Sequence, residues 1–241
     1  MTTYSAQAVH CPNCGQKNVN MALSSYSSPR QNSILSDGAP WSLPPDGFPP
    51  EMASSETGLG RCGWCGHVFL ISDDDTRSVN EVAGWFPGQN MPLGYVRMGT
   101  PCFEEIITWI SGTDDEQRTN VLAAVWRSSN RELVRRAADT EAHFSMLGEI
   151  EQQAFEQLYI SAFDENNWTV LLLDLAEKWA NAERNNVRIT AVELYRNCGK
   201  FAKAERALSP VAAEQTMENV VRQFKRQLTR ESRAPFLIDI H

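Results

Sequence analysis

The residues best suited to chemistry in this sequence are four cysteines arranged as two Cys-x-x-Cys-Gly motifs. The first motif contains Cys11 and Cys14, and the second contains Cys62 and Cys65. Two intervening residues let both thiolates of a pair face one ion, and four thiolates complete the tetrahedral shell that Zn²⁺ prefers. A complete shell leaves no open position for a substrate. The spacing therefore predicts a structural Zn²⁺ site with these four cysteines as ligands.

Two other uses of paired cysteines compete with this prediction. A thioredoxin-like redox motif uses a single Cys-x-x-Cys pair between a strand and a helix, whereas this sequence has two pairs. A disulfide framework suits small secreted proteins, and the first ten residues lack the charged start and apolar segment of a secretory signal. We therefore expect a cytoplasmic protein with its thiolates available for metal. With four thiolates present, neither His10 nor His67 is needed as a ligand.

The stretch between the two cysteine pairs, residues 15–61, is longer than the usual spacer of a zinc ribbon and predicts an inserted loop. Five prolines between residues 40 and 50 exclude a helix there and favour extended or turning backbone. Trp41, Leu43 and Phe48 lie in this Pro-rich loop. Their side chains either pack the loop onto the cysteine motifs or form an exposed patch for a protein partner.

Beyond Pro101 the apolar residues recur at helical spacing. The clearest stripe comprises Trp168, Leu171, Leu172, Leu175, Ala176 and Trp179. The sequence therefore predicts an α+β fold that is mainly α, with a small β zinc ribbon followed by an α-helical bundle. The predicted domains are a four-cysteine zinc ribbon with its Pro-rich loop over residues 1–75, a connector over 76–100 and the bundle over 101–241.

Composition limits the classes of partner. The formal net charge is −8, and hydrophobic residues make up 42% of the chain, enough for a globular core. A general nucleic-acid binder needs clustered Lys and Arg. The basic cluster of the last helical segment is modest, and its charged residues are Arg222, Lys225, Arg226, Arg230 and Arg233 with Glu218 and Glu231. No run approaches the roughly 18 apolar residues of a membrane span, so we expect neither strong nucleic-acid binding nor a membrane segment.

Residues 186–208 resemble the helical hairpin of tetratricopeptide repeats. Tyr195, Gly199, Ala204 and Leu208 fall at that family's spacing of large, Gly, small and large apolar positions. A glycine allows the tight turn, and a small residue lets the two helices approach. Because a self-supporting array needs at least three repeats, the resemblance implies one repeat-like hairpin within a bundle.

The wider layout is similar to a group of uncharacterised bacterial proteins that have an amino-terminal zinc ribbon and a helical tail. The motifs that carry this resemblance are Cys11-Pro12-x-Cys14-Gly15, Ser36-Asp37-Gly38, Pro44 with Pro45, Cys62-x-x-Cys65-Gly66-x-x-Phe69, Trp126 with Asn130-Arg131, and Glu193-Leu194-Tyr195 with Gly199. The resemblance implies a fold and a metal site, and it brings no activity with it.

The sequence has no phosphate-binding Gly loop, nucleophile elbow or His-Glu-x-x-His motif. We therefore expect a non-catalytic interaction or adaptor protein whose protein partner contacts Trp41, Leu43 and Phe48. One version of this hypothesis is an immunity or accessory protein of a bacterial system, in which a small acidic protein blocks a basic partner. A nucleic-acid-associated zinc-ribbon adaptor and an enzyme with a scattered active site are the alternatives.

Overall fold

The computed structural model describes residues 3–25, 33–37, 58–71, 82, 90–99, 101–113, 115–138, 141–165, 169–212 and 217–239. The described strands are β1 (Thr3–His10), β2 (Lys17–Ser25), β3 (Ser33–Leu35), β4 (Leu59–Arg61), β5 (Val68–Leu70), β6 (Val96–Arg97) and β7 (Leu237–Asp239). The described helices are α1 (Phe103–Ser111), α2 (Asp115–Ala137), α3 (Glu141–Ser145), α4 (Glu149–Glu165), α5 (Thr169–Ala180), α6 (Asn185–Asn197), α7 (Phe201–Val211) and α8 (Glu218–Thr229). The predicted class, α+β and mainly α, is confirmed.

The chain divides into two compact units. The first unit consists of Met1–Ser28 and Pro44–Ser128, and the second consists of Pro29–Leu43 and Ser129–His241. The described residues before Ser129 thus include α1 and the start of α2 in the first unit, whereas the sequence predicts one helical domain from residue 101. The domain boundaries drawn from the sequence remain a prediction. No helix in the described part of the chain combines the length and apolarity that crossing a bilayer requires.

Two antiparallel hairpins and the two-residue strand β6 form the described β part of the first unit. β1 pairs with β2, and β4 pairs with β5. The residues of β1 and β2 alternate between faces, which places Ala6, Ala8 and Val19 in one small apolar core. Val9 belongs to a second core with Phe69 of β5. The buried side chains of these hairpins are therefore mainly apolar, and the fully buried Asn18 of β2 is an exception.

Helix α1 begins next to the second hairpin. Its first turn contains Glu105, whose Oε2 accepts a hydrogen bond from the backbone N–H of Cys102 at 2.7 Å. Glu105 Oε1 lies 3.3 Å from Nη1 of Arg61, the last residue of β4. The first contact caps the helix. The second connects it to β4, the strand that leads into Cys62. The helix ends at Gly112.

The first prediction concerns this cap. The Cys102 N–H and the Arg61 guanidinium hold the pKa of Glu105 below its usual value, so its stabilisation is present above the unfolded pKa of about 4.3 and is lost as the pH falls through the lower folded pKa. Glu105→Gln keeps an acceptor for the Cys102 N–H but removes the charge, so it should lower the free energy of unfolding by about 0.3–1 kcal/mol at pH 7. Chemical denaturation of both proteins at several pH values checks this, and a difference that grows on acidification would contradict it.

The second unit is organised around α6, in which every residue from Ile189 to Asn197 is buried. The helix ends in a left-handed turn at Gly199, with φ of +68°. Lys200 N–H donates to Tyr195 O at 2.7 Å, and Gly199 N–H donates to Arg196 O at 2.9 Å, the pair of bonds that defines a Schellman cap. Helix α7 follows directly. Strands β3 and β7 pair in an antiparallel ladder. This ladder connects the two stretches of sequence that make up the second unit.

The buried face of α6 includes an ion pair. Arg196 Nε donates to Glu193 Oε2 at 2.8 Å, and Arg196 Nη2 donates to Glu193 Oε1 at 2.6 Å. The same Oε1 accepts hydrogen bonds from Ser36 Oγ at 2.6 Å and Asn197 Nδ2 at 3.2 Å. All four residues are at most 1% exposed. A buried charge needs this degree of hydrogen bonding, since an unpaired one is strongly destabilising.

The Arg196 guanidinium also connects α6 to the segment that follows α8. Nη1 donates to Ser232 O at 2.5 Å, Nη2 donates to Ala234 O at 2.7 Å, and the charge lies 5.0 Å from the centroid of the Phe236 ring. A second pair of buried polar residues lies next to Ser36 in the sequence. Asp37 accepts a hydrogen bond from Asn130 at 3.0 Å. Polar side chains far apart in sequence thus share one interior.

Candidate metal centre

The two Cys-x-x-Cys-Gly motifs form the tips of the two hairpins, and their backbones have the same conformation. In the first turn Gly15 N–H donates to Cys11 O at 2.8 Å, and in the second Gly66 N–H donates to Cys62 O at 2.9 Å. Both glycines have positive φ, +70° for Gly15 and +74° for Gly66. A residue with a Cβ is strained in that region, which explains the glycine after each cysteine pair.

A short segment after the second hairpin holds the two turns side by side. β6 pairs in parallel with β2, and Met98 N–H donates to Val19 O at 2.9 Å. One residue further, Gly99 and Arg61 exchange two backbone hydrogen bonds of 2.8 Å. Residues 96–99 therefore contact one strand of each hairpin. The sequence predicts only a connector here, and the structure adds this pairing role.

The four predicted ligands lie together in the structure. The Sγ atoms of Cys11, Cys14, Cys62 and Cys65 are all within 4.8 Å of one another. The Cys11–Cys65 pair is separated by 3.7 Å and the Cys14–Cys62 pair by 3.8 Å, and all four are free thiols. For metal–sulfur bonds of about 2.3 Å, a tetrahedron separates its sulfurs by about 3.8 Å. The four cysteines are therefore close enough to hold one metal ion.

Asn18 supports the centre, a role that no sequence motif indicates. The residue is fully buried at the start of β2. Its Nδ2 lies 3.5 Å from Cys62 Sγ and 3.1 Å from Gln16 O, and its Oδ1 accepts the Gly63 N–H at 2.9 Å. One amide thus orients both turns, and its N–H directed at sulfur stabilises a thiolate. A short-range pattern cannot reveal this contact, because Asn18 and Cys62 are distant in sequence.

The protein environment affects the thiols unequally. Burial raises the pKa of Cys11 to about 12. A hydrogen bond from the backbone of His67 lowers the pKa of Cys65 to about 6. A bound cation favours the thiolate form of every ligand, so metal binding would release protons from the buried end of the site.

The two histidines beside the cysteine motifs lie outside the cysteine cluster. His10 is partly buried and His67 is exposed, and neither belongs to the group of side chains placed to hold a metal. Within the described residues, these four cysteines are the one such group of three or more His, Cys, Asp and Glu side chains. Trp41, Leu43 and Phe48 lie outside the described residues.

The chain was compared with protein families, curated proteins and solved structures. None of them matches it. Its function is therefore inferred from the geometry of the site and from the surfaces of the two units.

The second prediction tests the role of Asn18. Asn18→Ala removes the N–H directed at Cys62 and leaves the Gly63 N–H without its acceptor, so metal affinity should fall about 10- to 100-fold. Competition with a chromogenic chelator measures the affinity. Asn20→Ala is the matched control, since Asn20 is a buried asparagine two residues along the same strand. Equal affinities of Asn18→Ala and the unsubstituted protein would contradict the assignment.

Proposed function

We propose that the chain is a non-catalytic interaction or adaptor protein whose first unit is a zinc ribbon built on a structural Zn²⁺ site. The observation that carries the proposal is the set of sulfur separations of 3.7 and 3.8 Å between thiolates from two hairpin tips. Four sulfur ligands in a tetrahedron are typical of Zn²⁺. Such a site has no free position for a substrate, so its role is to fix the fold.

Exposed apolar side chains of the first unit support an interaction role. Trp64, between the two cysteines of the second motif, is 50% exposed while its indole N–H donates to Lys17 O at 2.9 Å. Leu93 is fully exposed in the same unit. A tryptophan fixed by a hydrogen bond and open to solvent is the kind of anchor that protein interfaces use. The loop residues Trp41, Leu43 and Phe48 are proposed as further anchors, and an immunity or accessory role in a bacterial system is one form of this function.

The experiment for this function begins with capture of cross-linked partners from the native host and continues with a purified partner. We expect a stoichiometric protein partner whose affinity falls when Trp41→Ala and Phe48→Ala are combined. If the affinity of the partner does not change in the double variant, the interface lies on another surface. Trp64→Ala then tests whether the first unit forms that interface. If no protein forms a defined complex with the purified chain, the proposal is wrong.

The third prediction concerns the alternative of nucleic-acid binding. Within the basic cluster of the last helix, Arg233 is paired with Asp164 through contacts of 2.6 and 3.1 Å, and this guanidinium holds the pKa of the Asp164 carboxyl below its usual value. The remaining patch is small on a chain of net charge −8. We expect no sub-micromolar binding to duplex or single-stranded oligonucleotides at about 150 mM salt. Fluorescence anisotropy over a salt series checks this, and tight, salt-sensitive binding would favour the nucleic-acid adaptor instead.

A further inference from the structure

The second unit contains a cavity of about 680 Å³ between α3, α4, α8 and the segment that leads into β7. Its apolar lining includes Phe144, Leu147, Phe155 and Phe236. The Phe144 and Phe155 rings meet edge to face with centroids 5.4 Å apart. Phe155 is buried, and the Phe236 ring is held in place by Phe224 at 5.1 Å. The aromatic lining therefore belongs to the fixed interior of the unit.

The charged groups on the cavity are mainly basic. Two arginines line it. Arg226 lies in the last turn of α8, and Arg230 is the C-cap residue of this helix. Both are exposed, and no described residue makes a hydrogen bond or an ion pair with either guanidinium. Glu156 is the acidic residue of the lining, and its carboxylate accepts hydrogen bonds from Ser232 Oγ at 2.8 Å and from the backbone N–H of Ala234 at 3.1 Å. On an acidic chain, this cavity offers two available positive charges.

Apolar surface continues outside the cavity. Met146, which lies between two lining residues of the α3–α4 corner, is 74% exposed, and Ile150 in the first turn of α4 is 82% exposed. Leu237 of β7 also lines the cavity. Next to the β3–β7 ladder, Ser36 N–H donates to Phe236 O at 2.8 Å. Hydrogen-bonded and non-hydrogen-bonded pairs alternate along an antiparallel ladder. The N–H and C=O groups of the next residue, Leu237, therefore point away from β3. An extended segment could add to that edge.

We propose that this cavity binds a short acidic peptide segment of a partner protein. An aromatic or aliphatic side chain would occupy the apolar lining, and flanking carboxylates would pair with Arg226 and Arg230. Guanidinium groups recognise carboxylates through charge-assisted hydrogen bonds, which makes the charge of the site complementary to an acidic segment. Met146 and Ile150 are exposed and lie outside the lining, and the outer edge of β7 adjoins it through Leu237. These groups offer an extended peptide further apolar and backbone contacts. The inference rests on the proposed interaction function and names the chemistry of its partner.

The probe is an array of synthetic peptides of about ten residues, in which the number of carboxylates and the central residue (Phe, Leu or Ala) vary independently. Fluorescence anisotropy then measures the affinity of selected labelled peptides for the full chain. We expect binding to need both the carboxylates and a central Phe or Leu. Arg226→Gln combined with Arg230→Gln should weaken the best peptide about tenfold or more, because two charge-assisted hydrogen bonds are lost.

The matched control combines Arg222→Gln with Lys225→Gln, which removes the same charge from exposed positions of the same helix outside the lining. This control should bind within about twofold of the unsubstituted chain. Equal weakening by both double variants, binding that does not need the apolar residue, or an array without any binder would overturn the inference. If a host partner binds with full affinity to the Arg226→Gln, Arg230→Gln protein, the peptide site is wrong while the interaction function stands. If no partner forms a complex, the function itself fails.

Discussion

Cys62→Ser should unfold the β part of the first unit while the second unit stays folded. Binding of a structural Zn²⁺ contributes about 10–16 kcal/mol in zinc-finger peptides. Without the metal, the two hairpins keep only small apolar cores, the pairing with residues 96–99 and the hydrogen bonds of Asn18. In the second unit every residue of α6 from Ile189 to Asn197 is buried, and none of the four cysteines of the cluster belongs to this unit. Hydrogen exchange followed by mass spectrometry should show fast exchange in β1, β2, β4 and β5 and unchanged protection in α5, α6 and α7.

The control for this prediction is Cys102→Ser. Cys102 is an exposed free thiol outside the cysteine cluster, so its substitution should leave the exchange of all strands unchanged. Chelation of the metal from the unsubstituted protein should reproduce the Cys62→Ser pattern. Strands that remain protected in Cys62→Ser would show that the hairpins fold without the fourth ligand.

Arg196→Met should lower the free energy of unfolding of the second unit by about 3–5 kcal/mol. The substitution leaves the buried Glu193 carboxylate without its counter-ion, and removal of one partner of a buried pair has this effect. It also removes the donors that bind Ser232 O and Ala234 O. Chemical denaturation followed by circular dichroism, together with hydrogen exchange in α6, measures the loss.

An exposed ion pair provides the comparison. Arg136 Nε lies 3.3 Å from Glu132 Oε1, four residues earlier on α2, and both side chains are 58% exposed. Arg136→Met should therefore cost at most about 0.5 kcal/mol. A double variant with apolar residues at Glu193 and Arg196 should recover much of the loss, because no charge remains buried. A loss below about 1 kcal/mol for Arg196→Met would mean that the Glu193–Arg196 pair does not hold α6 in place.

The four cysteines that lie close enough to hold a metal ion could be selected from the sequence, because a Cys-x-x-Cys-Gly motif is local. The arrangement that brings the two motifs together could not. Residues 96–99 pair with both hairpins, but a strand of two residues is too short to produce a periodic pattern. Asn18 is equally inaccessible to pattern analysis, since its role depends on a partner in the other hairpin.

The buried network of the second unit marks a further limit of sequence analysis. Apolar periodicity indicates a helix here but does not indicate that α6 is buried on every face from Ile189 to Asn197, including Glu193 and Arg196. Their partner Ser36 belongs to a short segment far away in the chain. The sequence analysis quotes these residues only as parts of the resemblance to other proteins, namely Ser36-Asp37, Asn130 and Glu193. In the structure all of them are buried in the second unit. Motifs without obvious chemistry can therefore mark buried polar contacts.

Elemental analysis of the protein, purified without added metal and without chelator, tests the central claim most directly. We predict one zinc per chain in the unsubstituted protein and in Cys102→Ser, and a strongly reduced content in Cys62→Ser. A tetrahedral set of four thiolates can also hold iron, so iron is measured in the same samples. One zinc with negligible iron agrees with the proposal. A folded protein that contains no stoichiometric zinc, with all four thiols reactive, would contradict it.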